Sequence, residues 1–449
     1  MRYYIDCEKG CDQRDGISMD TAWKTLNRAN EVILQPGDEV LLHCGQHFTG
    51  TLMPKGNGRE ETKIRIGSYG EGSMPEIDGM GNYAAVWLKG CSHYVIQGLR
   101  ILNRCEEQKV RQGICIEGSP LGITEDVTVE GCEITQVDGE NRRNRQPYES
   151  MYWNGAIYVT MPGRSSEENH LHRIHILNND IHDVKTSGIR INQEEDFVVD
   201  IHHTAVVVRG NRINRTGSDG IIVANCISPL ISGNICYDAG ALGTKEETLL
   251  IAGIWVCAVK DALIERNEVA RTRLFTGDGT AFDTDWGTAG TIVFQYNYTH
   301  DNEGGFWLDC SNLNYNSGYQ KTVLQYNISV NDQEGILVAD GRLPVEVRGN
   351  VFVSRHPVSI CLRGKGTQAV FSGNEFILEE EPLDQWAQAQ YEQNYYKKVI
   401  CGKDKQAVNH GFCEELDALE ADIPDRESMG PQWERLYEMV CSVSGNRGS

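Results

Sequence analysis

The 449-residue sequence lacks several features that would place a protein in a class immediately. It opens with MRYYIDCEKG, which has no apolar signal core, and no apolar run reaches the roughly 18 residues that a transmembrane helix needs. Its 15 cysteines show no paired metal-ligand spacing, since the CxxxC of Cys7 and Cys11 has no second half. These absences predict no membrane span and no cysteine metal site, and the unpaired thiols favour a cytoplasmic location.

Basic residues are also scarce. The chain has 42 lysines and arginines against 64 aspartates and glutamates, which gives a formal net charge of −22. A field of this sign disfavours nucleic acid and anionic membranes as partners. It disfavours a polyanionic polysaccharide less strongly, so a neutral sugar is the easier substrate to accept.

What the sequence does contain is an asparagine that recurs within a short phrase of β-branched and aromatic residues. Phrases such as VRGNRIN, ISGNICY and LQYNISV follow one another at intervals of 23–33 residues, with no helical pattern between them. Repeats of this length indicate stacked structural units. We expect each asparagine in a tight turn, where it tolerates the left-handed conformation and can bond to the next asparagine in the stack. The eight asparagines are Asn179, Asn211, Asn234, Asn267, Asn297, Asn327, Asn350 and Asn374.

Strands that repeat without crossover helices predict an all-β fold, a right-handed parallel β-helix or solenoid. Residues 61–380 would form its coils. Residues 1–60 would form a short N-terminal cap, in which TAWKTLNRAN (21–30) reads as a helix. The charged, helical-looking residues 381–449 would form a helical C-terminal cap.

Acidic residues stand at the far ends of three glycine-initiated strands. Aligned on their glycines, GTAFDTD, GFWLDC and GILVAD place Asp283 and Asp285, then Asp309, then Asp340 at nearly one position. Neighbouring strands lie ~4.8 Å apart, so these carboxylates would stack on one face. Their repulsion would raise at least one pKa, which suits glycoside hydrolysis by an acid beside an ionised partner. A calcium site and ordinary turn chemistry are the alternatives.

Side chains around these aspartates are candidates for binding a sugar. Tryptophans can stack on sugar rings. Trp307 shares a strand face with Asp309. That face is either the groove or the core, and the sequence leaves both orientations open. An arginine in GIRIN can bind a hydroxyl or a carboxylate, and a glutamate precedes GGFWLD. The candidate substrate-binding residues are Trp307, Trp255, Arg190, Glu303 and Trp286.

Two stretches carry a family resemblance. The segment from YYIDCEKG to HCGQHFTG resembles the opening of bacterial right-handed parallel β-helix proteins that act on carbohydrates. GGFWLDCSN and ILVADGRLPVEVRGNVF are similar to the active-site coils of the family 120 glycoside hydrolases, which are β-xylosidases. This resemblance implies that Asp309 is the nucleophile and Asp340 the acid/base, with Asp283 or Asp285 tuning their pKa values or holding a sugar hydroxyl. The sequence departs from that family at Asp340, where the family has a glutamate, and it has no inserted β-sandwich domain.

The resulting prediction is a glycosidase that cleaves short neutral oligosaccharides by a two-carboxylate, retaining mechanism, without a cofactor or a metal. One alternative is a calcium-dependent polysaccharide lyase acting on uronates, although no lysine lies on the coil of Asp340 to serve as its base. A β-helix fructosyl or glycosyl transferase and a sugar-binding solenoid are the others. Flat coil stacks often trimerise, so a homo-oligomer is left open.

Overall fold

Parallel β-strands make up nearly all of the regular structure. The structure, a computed structural model, describes residues 1–141, 150–195, 200–244, 250–275, 277–310, 320–333, 335–339, 344–356, 359–362, 368–378, 389–397 and 408–409. The chain divides into two units, Met1–Pro229 with Ala239–Leu249, and Leu230–Asp238 with Leu250–Ser449. Each unit contains strands of three parallel sheets, so the predicted parallel β-helix is confirmed.

In the first unit, one short strand per sheet is repeated along the chain. The first sheet contains Arg2–Ile5, Glu39–His43, Ile64–Tyr69, Tyr94–Gln97, Thr124–Glu130, Leu171–Leu177 and Val207–Arg209, with His203–Thr204 and Cys226–Ile227 beside it. The second contains His47–Thr49, Glu76–Asp78, Arg100–Asn103, Glu133–Val137, Asp180–Val184 and Arg212–Thr216. The third contains Ala84–Lys89, Gln112–Glu117, Gly155–Met161, Ile189–Gln193 and Ile221–Ala224.

The second unit repeats the same order. Its first sheet contains Leu230–Ser232, Leu263–Glu265, Gly290–Gln295, Gln320–Gln325, Pro344–Arg348, Gln368–Ser372 and Gln390–Glu392. Its second contains Ile235–Tyr237, Glu268–Ala270, Tyr298–His300, Ile328–Val330, Val351–Ser354, Glu375–Leu378, Tyr395–Lys397 and Val408–Asn409. Its third contains Leu250–Cys257, Gly277–Thr284, Gly305–Asp309, Gly335–Ala339 and Ser359–Leu362.

Helices are short where the structure describes the chain. They are the α-helix Leu26–Glu31 and the 3-10 turns Met19–Thr21 and Ser150–Trp153. The helix predicted over residues 21–30 is therefore shorter and begins later, because the Thr25 side chain caps it by accepting from the Arg28 amide. None of the helices described is long and apolar enough to cross a membrane.

The predicted helical C-terminal cap is wrong where it can be compared. Residues 390–392 and 395–397 are strands, each paired in parallel with the preceding strand of its sheet. The phrase YEQNYYK has the same form as the other asparagine phrases, and Asn394 extends the ladder by one more position. Residues 398–407 and 410–449 lie outside the described part of the chain, so the predicted boundaries 1–60, 61–380 and 381–449 stay predictions.

The asparagine ladder is a buried column of hydrogen bonds. In the second unit Asn297 donates from its backbone nitrogen and from Nδ2 to Asn327 Oδ1, at 3.0 and 2.9 Å. Its Nδ2 also donates to the Ile264 carbonyl at 3.1 Å. The same pattern links every successive pair from Asn234 to Asn394. In the first unit Asn179 donates to Asn211 in this way. The predicted bonding between stacked asparagines is confirmed.

The asparagines were expected to adopt the left-handed conformation themselves, and this prediction is wrong by one position in the sequence. The left-handed residue is the one before each asparagine, with φ of 68° at Gly210, 64° at Gly233 and 55° at Tyr326. This turn leaves the asparagine itself free to point inward, where both ends of its amide find backbone partners. Glycine is favoured at the turn because a side chain there is strained.

Candidate active site

The register of the third sheet in the second unit differs from the glycine alignment by one residue. Asp283 pairs with Leu308, and Asp309 pairs with Thr284. In the pairing with the other neighbouring strand, Leu250–Cys257, Gly279 is an extra residue, since Asp278 pairs with Ile251 and Thr280 with Ala252. A slip of one residue moves a side chain to the other face of a sheet. The predicted stack of Asp283 and Asp309 on one face is therefore wrong.

The residues that do come together are Asp283, Asp285 and Cys310. One ligand atom from each lies within 4.8 Å of the others. Asp283 and Asp285 share a face because they are two residues apart, and the Cys310 amide donates to the Thr284 carbonyl at 2.9 Å, which places Cys310 beside Asp285. We refer to these three residues as the acidic cluster. The structure thus joins two of the four predicted catalytic aspartates and adds a thiol that the sequence did not single out.

Asp283 is the carboxyl group whose environment is most altered. It is 4% exposed and lies between Trp255 and Leu308, its partners on the two neighbouring strands. This burial raises its pKa well above the ordinary value, and the negative charges of Asp285, Asp278 and Asp309 raise it further. Both effects favour the protonated form of Asp283, as expected for one member of a carboxylate cluster.

Asp278 is the acidic residue that sequence reasoning missed. Its charge acts on both Asp283 and Cys310, so it lies close to the acidic cluster. It occupies the bulge with Gly279, and both residues have positive φ, 61° and 73°. The signal was the phrase GDGTAFDTD, in which an aspartate between two glycines precedes the other two aspartates by five and seven residues. Asp278 and Asp285 are both partly exposed, unlike Asp283.

The other two predicted catalytic residues are Asp309, which the structure describes, and Asp340, which it does not. Asp309 is 1% exposed and shares its strand face with Trp307. Its charge still reaches Asp283, so it belongs to the surroundings of the acidic cluster. Asp340 lies outside the described residues, directly after the strand Gly335–Ala339. The nucleophile and acid/base roles of these two residues stay predictions.

The three candidate tryptophans occupy three different environments. Trp307 is fully buried, packs against Phe294 and donates from Nε1 to Thr284 Oγ1 at 3.3 Å. It is a core residue, so of the two orientations left open for Trp307 the core orientation is the one observed, and its candidate contact with substrate is wrong. Trp255 is buried beside Asp283, whereas Trp286 is 39% exposed and follows Asp285 directly. Among the three, Trp286 offers the most surface to a sugar.

Arg190 and Glu303 are both engaged by neighbouring residues. Arg190 belongs to the first unit and is buried, with its guanidinium 5.7 Å from the ring centre of Tyr152. Its predicted role of binding a hydroxyl or a carboxylate of the substrate stays a prediction. Glu303 accepts from the Leu274 amide and from Arg273, each at 2.7 Å. These two hydrogen bonds hold the segment that precedes the strand Gly277–Thr284, on which Asp278 lies.

The raised pKa of Asp283 predicts a pH-dependent cost in stability. A carboxyl group whose folded-state pKa is raised contributes stability below its unfolded pKa of about 3.9, and that contribution is lost as the pH rises. Asparagine does not titrate. We therefore expect Asp283→Asn to unfold at a higher temperature than wild type at pH 7, with the difference shrinking towards pH 4. Thermal unfolding followed by circular dichroism between pH 4 and 7 measures this, with the exposed Asp20→Asn as the control.

An equal thermal midpoint for Asp283→Asn and wild type across this range would contradict the assignment of Asp283 as a neutral, buried acid. A general effect of removing one negative charge from an acidic protein would appear in Asp20→Asn as well.

The sequence is similar to a family of β-helix regions and to two enzymes that act on sugars. Residues 150–315 match the family model described as a right handed beta helix region, so the predicted handedness is confirmed. A lacto-N-biosidase of Bifidobacterium longum is 24% identical over 469 aligned positions, covering 84% of this chain. The chain spans only 28% of that protein's length. An alpha-1,3-galactosidase A of Akkermansia muciniphila is 36% identical over 65 residues, or 14% of this chain.

Among solved structures, a lacto-N-biosidase of glycoside hydrolase family 136 from Eubacterium ramulus matches with a TM-score of 0.71 and 25% identity. The match covers 84% of this chain and 68% of that one. Both lacto-N-biosidases support the predicted class, a carbohydrate-active β-helix protein of the glycosidase type. The narrower resemblance to the family 120 xylosidases is not confirmed.

Proposed function

We propose that this chain is a glycoside hydrolase that cleaves a glycosidic bond in an oligosaccharide. The observation that carries the proposal is a group of carboxyl groups in one place: Asp283 lies within 4.8 Å of Asp285, and the charges of Asp285, Asp278 and Asp309 all act on it. Glycoside hydrolysis needs two carboxyl groups in different protonation states. The similarity of 84% of the chain to lacto-N-biosidases supports the same reaction class.

Exposure divides the roles among the aspartates. A group that attacks or protonates a sugar must contact it. Of the four aspartates Asp278, Asp283, Asp285 and Asp309, the first and the third are partly exposed. Asp283 and Asp309 are buried behind them. Asp285 lies within 4.8 Å of Asp283, whose raised pKa favours its protonated form, and we take Asp285 as the ionised member of this pair. We therefore assign the nucleophile to Asp285 and the acid/base to Asp278.

The reaction then follows in two balanced steps. The Asp285 carboxylate attacks the anomeric carbon while the bond to the leaving oxygen breaks, and Asp278 gives that oxygen its proton. Water then attacks the same carbon and gives a proton to Asp278, and the bond to Asp285 breaks. Two displacements return the original anomeric configuration, so the proposed mechanism is retaining. The neutral carboxyl of Asp283 can donate a hydrogen bond to the cluster without adding charge.

The substrate proposed first is an oligosaccharide ending in a lacto-N-bioside, because both biosidases align along most of the chain. An α-galactoside ranks second, because the similarity to the galactosidase covers 14% of the chain. A net charge of −22 favours a neutral sugar in either case. The cytoplasmic location and the homo-oligomer stay predictions.

Release of nitrophenol from a panel of aryl glycosides tests the proposal. The panel contains a lacto-N-bioside, an α-galactoside and a β-xyloside, each with and without EDTA. We expect turnover of the first that survives EDTA. A rise in absorbance on a uronate polymer only with calcium would replace the hydrolase with a lyase. Sugar binding without any turnover would indicate a binding solenoid.

The exposed ring of Trp286 predicts a separate effect on substrate binding. Because Trp286 adjoins Asp285 and is 39% exposed, we expect a sugar ring to stack on it. Trp286→Ala should raise KM about ten-fold, which corresponds to about 1.4 kcal/mol, with kcat changed by less than about two-fold. Trp286→Phe should fall between the two. Steady-state kinetics on the best aryl glycoside measure this, and an unchanged KM would show that the ring does not contact substrate.

A further inference from the structure

The acidic cluster has a composition that hydrolysis does not require. It contains a thiol, Cys310, beside two carboxylates. The Cys310 amide bond to the Thr284 carbonyl fixes the backbone of this residue at 2.9 Å. Burial raises the pKa of the Cys310 thiol, and the four surrounding aspartates raise it further. A thiol in such surroundings is a poor nucleophile towards a sugar, so its use must be sought in other chemistry.

The geometry points to a binding site for Zn²⁺, formed by Cys310 Sγ and one carboxylate oxygen each from Asp283 and Asp285. Zinc takes sulfur and oxygen ligands at roughly 2.0–2.3 Å, so two ligand atoms of a tetrahedral site lie roughly 3.3–3.8 Å apart. The three candidate atoms already lie within 4.8 Å of one another. Binding would require these side chains to rotate towards one another, which the partial exposure of Asp285 permits.

A buried oxygen provides the second, independent observation. Asp283 is 4% exposed, and its Oδ1 has no hydrogen-bond partner within the part of the chain that the structure describes. Leaving such an oxygen unsatisfied is costly, and a bound cation would satisfy it. The negative charges of Asp278 and Asp309, which act on this same carboxyl group, also favour a cation there.

The ligand set selects the kind of metal. Calcium takes six to eight oxygen ligands and magnesium takes six in a strict octahedron, and neither prefers sulfur. Three protein ligands, one of them a thiolate, suit zinc with a fourth position left for water. We therefore expect zinc to bind where calcium and magnesium do not.

Zinc at this site would regulate the enzyme. It would take up the carboxylate of Asp285, which the proposed function uses as the nucleophile, so bound zinc would inhibit turnover. This consequence rests on the proposed function, whereas zinc binding itself does not. Inhibition would be reversible, because a chelator can remove the metal without breaking a covalent bond.

Zinc titration against a chromophoric chelator tests the site directly. The full chain is stripped with EDTA and desalted, and wild type is compared with Cys310→Ser and Cys257→Ser. Cys257 is the matched control, because it is a buried cysteine of the neighbouring strand whose thiol donates to the Trp286 carbonyl at 3.2 Å. We expect Cys310→Ser to bind one equivalent of zinc fewer than wild type, and Cys257→Ser to bind as many. Equal stoichiometry in wild type and Cys310→Ser would overturn the site.

Inhibition is measured separately, with each rate expressed relative to the same variant without zinc. We expect one equivalent of zinc to abolish wild-type turnover, EDTA to restore it, and Cys310→Ser to be insensitive at the same concentration. A missing equivalent in Cys310→Ser without inhibition of wild type would retain the metal site and overturn its regulatory role. If no glycoside is turned over, the proposed function fails while the stoichiometry still decides the zinc site.

Discussion

Replacing Asp285 with asparagine is expected to lower kcat by about 10³–10⁴-fold, whereas the same change at Asp283, only two residues away, should cost less than about ten-fold. The two carboxyl groups lie within 4.8 Å of each other, and burial between Trp255 and Leu308 favours the protonated form of Asp283. Asparagine cannot attack a carbon as a carboxylate does. It does reproduce the size, the neutrality and the hydrogen-bond donor of a protonated aspartate.

Asp278→Asn completes the comparison. If Asp278 is the acid/base, the fall in rate caused by Asp278→Asn should depend on the leaving group, because a good leaving group needs no proton. We expect Asp278→Asn to lose about 10²–10⁴-fold on a natural oligosaccharide but less on an activated aryl glycoside. Steady-state rates on both substrates measure this, and folded secondary structure is confirmed by circular dichroism for each variant.

Two outcomes would contradict these assignments. A severe loss in Asp283→Asn would make the buried acid the proton donor. A loss in Asp309→Asn or Asp340→Asn larger than that in Asp285→Asn would favour the pair implied by the family 120 resemblance. Adding azide to Asp285→Asn provides a further check, because a small anion can replace a missing nucleophile and yield a glycosyl azide.

The sequence predicts the fold well because the repeat is a backbone requirement. Each coil needs a turn between two strands, and an inward-facing amide satisfies the backbone groups that the turn exposes. The same requirement recurs in each coil, so Asn297 and Asn327 appear in matching phrases. Asn394 carries the same signal in YEQNYYK, but the charged residues around it suggested a helix instead.

The site is harder to predict because it depends on single-residue offsets. The glycine alignment places Gly279 opposite Gly305, but Gly305 pairs with Thr280, an offset of one residue. This one residue separates Asp283 from Asp309 and brings Cys310 beside Asp285. The direction of Trp307 depends on the same register, so its period-two relation to Asp309 was correct but gave no indication of which face is the core.

A second column of side-chain hydrogen bonds contains an aspartate, Asp332, in the place of an asparagine. Asn302 donates from its backbone nitrogen and from Nδ2 to Asp332 Oδ1, at 3.0 and 2.7 Å, so an aspartate here occupies the position of a ladder asparagine. The other oxygen of Asp332 accepts from the hydroxyls of Thr299 and Ser329. An aspartate is thus accepted in a buried ladder where donors face both of its oxygens.

Asn297 is the opposite case, and Asn297→Asp should be strongly destabilising. Its Oδ1 accepts from the Asn267 backbone at 2.9 Å and from Asn267 Nδ2 at 3.1 Å, which an aspartate can retain. Its Nδ2 faces two acceptors, Asn327 Oδ1 and the Ile264 carbonyl. The change places a carboxylate oxygen against both of them in the core. We expect a loss of about 3–5 kcal/mol at pH 7, since a buried charge is left without a donor.

The pH dependence distinguishes this cause from simple loss of packing. The new carboxyl group would have a raised folded-state pKa, so its penalty is smallest below about pH 4, the unfolded value, and grows as the pH rises. Urea unfolding of Asn297→Asp and wild type at pH 4 and pH 7 measures the difference, with the exposed Asn82→Asp as the control. A similar loss at both pH values would mean that the buried charge is not the cause of the destabilisation. A growing loss would show that the cost comes from a carboxylate buried against two acceptors, which the amide of Asn297 avoids.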